Sequence, residues 1–96
     1  MASHVQDMVD RARGVLPVSA DELLLRGIAA ETTDRIVVLK KAEMRLRAKY
    51  ESLAVLEQRI KAHGVTPDDH RLYDDLLEWR AVHHELAELM SLLEAL

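Results

Sequence analysis

Two apolar stripes of the same length and period dominate the sequence and leave few folds open to it. Ile36, Leu39, Ala42, Leu46, Tyr50, Leu53, Leu56 and Ile60 recur every three or four residues, and so do Leu72, Leu76, Trp79, Val82, Leu86, Leu89, Leu93 and Leu96. A narrow stripe of near-heptad period is the seam of a coiled coil or slender bundle, because it keeps one side of a helix facing a partner. The segments 34–63 and 67–96 hold 30 residues each, about 45 Å of helix. The short link Gly64-Val65-Thr66 between them requires an antiparallel hairpin. Folding at residue 65 pairs positions whose numbers add to about 130, with Trp79 beside Tyr50, Leu76 beside Leu53 and Tyr73 beside Leu56. The same fold puts Leu89 and Met90 near Ala42, Leu93 near Ile36 and Val37, and His83 near Leu46.

Charge agrees with that pairing. Residues 34–63 carry eight basic and four acidic side chains, whereas residues 64–96 carry two basic and eight acidic ones. A basic arm against an acidic arm favours the hairpin, although each exposed pair contributes under about 1 kcal/mol. Only three glycines and two prolines interrupt a chain rich in good helix formers, and phenylalanine is absent. The fold class expected is all-α: a long, coiled-coil-like antiparallel hairpin with one or two shorter N-terminal helices in an up-down bundle, forming one domain over residues 1–96.

Capping residues set the expected boundaries. Ser3 with Gln6 opens a short helix over 4–14, which Gly14 and Pro17 close. Ser19-Ala-Asp-Glu22 is a capping box that opens a long helix over 20–63. Gly27 and Glu31-Thr32-Thr33-Asp34 weaken helix and allow a bend near 31–34. Thr66 as N-cap and Pro67 as first helical residue start the last helix, 67–95.

Several chemistries lack the residues they need. Without cysteine there is no disulfide framework and no thiolate metal site. His83 and His84 are adjacent, so they point about 100° apart on a helix and cannot chelate one ion together. His84 with Glu88 and His63 with His70 give two-ligand sets at most. Asp68 and Asp69 are accounted for by capping, Asp74 and Asp75 by a solvated face, and there is no phosphate loop, nucleophile elbow or HExxH signature. No catalytic residue, metal or cofactor is expected. The apolar runs fall far short of the roughly 20 residues that span a bilayer, and no secretory signal opens the chain. A cytoplasmic protein without membrane contact is the expectation.

Two binding readings survive. The basic cluster Lys40, Lys41, Arg45, Arg47 and Lys49 would suit nucleic-acid phosphates if it faced them without competing acid, but the adjacent arm supplies Asp74, Asp75, Glu78 and Glu85. The favoured reading is a protein–protein interaction module. Val37, Val38, Met44, Val55, Leu77 and Met90 lie beside or behind the seam, and Leu23, Leu24, Leu25 and Ile28 add a dense patch. The core and interface candidates are Leu24, Ile28, Val38, Leu46, Tyr50, Leu53, Trp79, Leu86, Met90 and Leu93. The expected partners are a second copy, as a homodimer, or another helical protein.

The stretch Lys49-Tyr50-Glu-Ser-Leu53 with Arg59-Ile60, followed by Asp68-Asp69-His70-Arg-Leu72-Tyr73-Asp-Asp-Leu76-Leu77-Glu78-Trp79, resembles small all-helical bacterial proteins of toxin–antitoxin-type operons. The likeness covers residues 40 to 90. It implies a partner-neutralising role and assigns no functional residue. In size and charge the chain also resembles the small hairpin chaperones of secretion systems.

Overall fold

A computed structural model describes residues 3–64 and 70–96. Among them are four helices and no strand: α1 His4–Val15, α2 Ala20–Tyr50, α3 Leu53–His63 and α4 Arg71–Ala95. The fold is all-α, and the long helices α2 and α4 pack against each other along a rod of 63 × 27 × 19 Å. Its radius of gyration is 20.4 Å, against about 12.5 Å for a compact domain of this length.

The first two helices start where their caps predict. The Ser3 hydroxyl accepts from the Gln6 N–H, and the Ser19 hydroxyl from the Glu22 N–H, both at 3.1 Å. Each serine thereby satisfies a backbone donor that the first turn leaves unpaired. From Ser19, α2 continues for 31 residues, through Gly27 and through positions 31–34. Thr32 does not open a new helix there. It is buried in the seam, where its hydroxyl donates to the Ile28 carbonyl at 2.6 Å, so the preceding turn satisfies it from inside the helix.

The interruption falls instead at Glu51 and Ser52, so residues 20–63 are two helices. Glu51 has φ 71° and ψ −52°, and the Ser52 N–H donates to the Tyr50 carbonyl at 2.8 Å. This i to i+2 bond about a positive-φ residue is the rare, strained form of γ-turn. Ser52 then caps α3 by accepting from the Val55 N–H at 3.1 Å. A physical reason lies in the direction of Leu56. At about 100° per residue, a straight continuation would carry Leu56 roughly 120° around the helix from Tyr50 and off the seam. With the break, Leu56 joins Leu46, Tyr50, Leu76 and Trp79 in one core, and Leu53, Ile60 and Leu72 pack on its rim.

Leu46, Leu56 and Trp79 are sealed from solvent there. The Trp79 indole N–H has no acceptor, a cost of about 1–3 kcal/mol that the burial of so large a ring outweighs. A thinner seam of Thr32, Ile36, Leu39 and Val82 extends the core along the rod.

The pairing of the long helices differs from a hairpin folded at 65. Arg35 meets Glu85, Arg45 meets Glu78 and Lys49 meets Asp75, so paired positions add to 120–124 rather than 130. The break at Glu51 and Ser52 separates α3 from this pairing, and α3 meets α4 through Glu57 and Arg80. Tyr73, expected beside Leu56, is 41% exposed. At the other end, Gly64 stops α3 with φ 68° and its N–H on the Ile60 carbonyl. The expected turn residues Val65 and Thr66 and the Thr66–Pro67 helix start lie outside the described residues, and α4 is helical from Arg71.

If α3 is held by this core, Leu56→Ala should cost about 2–5 kcal/mol. Leu77→Ala, at a position nearly half exposed, should cost under about 0.5 kcal/mol. Urea titrations followed by Trp79 fluorescence would measure both, and equal costs would mean that Leu56 is not core.

Candidate interaction surface

The ten core and interface candidates divide into two groups. Leu46, Tyr50 and Trp79 are buried, and Leu53 and Leu86 are partly so. Leu24, Ile28, Val38, Met90 and Leu93 are exposed, Val38 at 54% and Leu24 at 57%. The fold covers none of these five, so they stand as interface rather than core candidates. The reason is positional for Ile28 and Leu93, which continue the seam stripe into the open end of the rod, where α2 begins and α4 finishes, and Met90 lies beside that stripe. Leu24 and Val38 lie instead on a flank of α2.

That flank can be traced from one ion pair. On α2, positions 24, 31, 38 and 45 form a row one heptad apart, and on α4 positions 78, 85 and 92 form another. Arg45 reaches Glu78, which places both rows on the same side of the hairpin. Arg35 lies on this side too, bonded to Glu85 through Nε at 2.8 Å and a terminal nitrogen at 3.1 Å. Val38 lies between these pairs and Leu92, Leu24 and Leu96 beyond them, all exposed, with the exposed Glu31 between Leu24 and Val38. It is a stripe with a charged rim.

The opposite end of the hairpin is tied by Tyr50. Its hydroxyl donates to the Asp75 carboxylate at 2.5 Å, and Lys49 donates to the same oxygen at 3.0 Å. Lys49 Nζ and Arg59 Cζ lie 5.9 and 5.8 Å from the centre of the Tyr50 ring, within cation–π range. One side chain thus joins α2, α3 and α4. Burial, with the Asp75 hydrogen bond and charge, pushes the Tyr50 hydroxyl up to about 12. Burial also raises Asp75, but the hydrogen bonds from Tyr50 and Lys49 outweigh it and hold the carboxyl below its ordinary value.

The basic cluster is partly engaged. Arg45 is held by Glu78, Lys49 by Asp75, and Arg47 by Glu43 at 3.4 Å. Lys40 and Lys41 have no ion pair among the described residues. His83 sits 2.7 Å from Glu43 and edge-on to Trp79, while His84 pairs with Glu88 at 3.2 Å on the same helix. Among the described residues, no three His, Asp or Glu side chains converge as metal ligands, and no helix is long and apolar enough to cross a membrane. The concavities are open grooves, such as those along α3 at Val55, Arg59 and His63 and along α2 at Leu24 and Ile28.

No protein-family model, curated protein or solved structure matches the chain.

The sequence identified the exposed stripe residues but not the Tyr50 node. Tyr50 reads from sequence as one more seam position, and its pairing with Asp75 depends on the register. Because the folded-state pKa is raised above the ordinary value near 10, Tyr50 contributes stability that is complete below pH 10 and lost as pH climbs toward 12. In a Tyr73→Phe background, ultraviolet titration should show a single tyrosine ionising near pH 12, together with loss of helicity. Ionisation at the ordinary value with helicity intact would show the node to be open.

Proposed function

We propose that the protein is a non-enzymatic interaction module that binds helices, and that its first partner is a second copy of itself. The observation that carries this reading is the surface area. A compact monomer of 10.9 kDa exposes about 5,600 Å², whereas this chain exposes 7323 Å². If each of two copies covered half of the excess, the interface would bury about 1,700 Å² in total, the size of a standard stable interface. The apolar flank is placed to supply it: two hairpins stacked by Val38, Leu24, Leu92 and Leu96 make a four-helix bundle.

The charged rim of that flank suits a homologous partner. Arg35 and Glu85, or Arg45 and Glu78, can be shared between copies as well as within one. An antitoxin-like or chaperone-like role, in a cytoplasmic setting, fits the same surface with another helical protein in place of the second copy. The nucleic-acid reading rests on fewer cations, since Arg45, Arg47 and Lys49 already have acidic neighbours and Lys40 with Lys41 would have to carry it.

Light scattering on a sizing column should give about twice 10.9 kDa at tens of micromolar. Val38→Glu should return the mass to that of a monomer, at least a tenfold weakening, with the helical content unchanged. A wild-type monomer at that concentration would rule out self-association and leave a different helical protein as the partner.

A further inference from the structure

The outer side of α2 carries a pattern that is its own complement. Residues 27, 31, 34, 38, 41, 45 and 48 step by four and three along one unbroken helix, so they share a face. All of them are exposed. About the point between Val37 and Val38 this face is symmetric in size and opposite in charge. Asp34 and Lys41 stand equally far from that point, Glu31 and Arg45 nearly so, and the small residues Gly27 and Ala48 close the two ends. The charges nearest the centre are unengaged. Neither Asp34 nor Lys41 has an ion pair among the described residues, whereas Arg45 is held by Glu78.

We infer that α2 packs antiparallel against α2 of the second copy, with the two-fold axis between Val37 and Val38. The inference rests on the self-association proposed above and assigns its centre and orientation. Facing positions then add to 75. Val37 meets the partner's Val38, Asp34 meets the partner's Lys41, and Gly27 meets the partner's Ala48, where small side chains let the helices approach. An isologous contact makes each of these pairs twice. Other alignments of the same face lose the match. In a parallel pair Asp34 faces Asp34 and Lys41 faces Lys41. A slip of one heptad from the antiparallel register sets Asp34 on Asp34 in one direction and Lys41 on Lys41 in the other. Free charge thus selects orientation and register, while the exposed valines supply apolar contact. The lengthwise charge of α2 agrees. Residues 20–34 carry four acidic side chains and one basic, and residues 35–50 carry one acidic and six basic. Antiparallel packing lays the acidic half of each helix along the basic half of the other, and parallel packing sets like on like. Leu24, Leu92 and Leu96 lie toward the ends of the contact rather than at its centre.

The chain has no cysteine, so single introduced cysteines report the orientation. Gly27→Cys enters open space, since no atom lies within 4 Å of an added Cβ, and Ala48→Cys is exposed. The two full-length variants are mixed at a concentration where light scattering shows the dimer, and the oxidised products are identified by mass. The mixed 27–48 disulfide should form at least tenfold faster than 27–27 or 48–48, because antiparallel packing holds like positions about 30 Å apart. Dimers that form 27–27 or 48–48 as fast would overturn the antiparallel arrangement and leave self-association standing. A monomer at that concentration would remove both. As a second measurement, Asp34→Lys and Lys41→Asp should each weaken dimerisation about tenfold with helical content unchanged, since like charges then face each other twice. An equimolar mixture of these two variants should associate about as tightly as the wild type, its facing charges again opposite. Unchanged dissociation constants for the single variants would also overturn the proposal.

Discussion

Leu56 and Tyr50 cannot both face α4 from one straight helix, and the architecture follows from that constraint. Six residues of α-helix rotate a side chain by about 120°. Burying both requires the chain to leave the helix between them. The cost is one residue at positive φ, about 1–3 kcal/mol. Against it stand the burial of Leu56, about 1.5–3 kcal/mol, and the Ser52 cap, about 1 kcal/mol. After the break, α3 packs Leu53, Leu56 and Ile60 around the core of Trp79 and brings Arg59 over the Tyr50 ring, whose hydroxyl is bonded to Asp75.

The same register decides what stays uncovered. With its core concentrated at the α3 end, the rod runs out of covering helices at the other. There the stripes of α2 and α4 continue in Ile28 and Leu93, with Met90 beside them, all exposed, and α1 packs only against α2. A chain of 96 residues has little apolar area to spare, and this one spends it unevenly. The apolar flank at Leu24 and Val38 and the open seam therefore have one origin in the uneven distribution of core.

Much of this could be read from residue order, because it depends on local chemistry. Ser3 and Ser19 cap as their spacing requires, the period of the stripes yields two long packed helices, and the opposite charges of the arms reappear as cross-helix pairs such as Arg35 with Glu85. The failures are where tertiary packing overrides a local preference. Thr32 belongs to the run expected to allow a bend, and it is a buried, internally bonded seam residue of a continuous helix. Tyr50 to Leu53 looked like uninterrupted helix, because Ser52 is a cap only once the chain has turned, and no glycine marks the turn. The register error follows from that miss, and with it the misplacement of Tyr73 and the invisibility of the Tyr50–Asp75 bond.

Backbone chemical shifts through residues 47–56 test the account at its root. The Cα and Cβ shifts and the amide–Hα coupling of Glu51 should depart from helical values at Glu51 and Ser52 alone, with helix resuming at Leu53. The Leu56 methyl groups should show cross-relaxation to the core of Leu46 and Trp79. An unbroken run of helical shifts from Arg47 to Leu56, with Leu56 close to Tyr73 instead, would contradict the break before α3 and the core built on it.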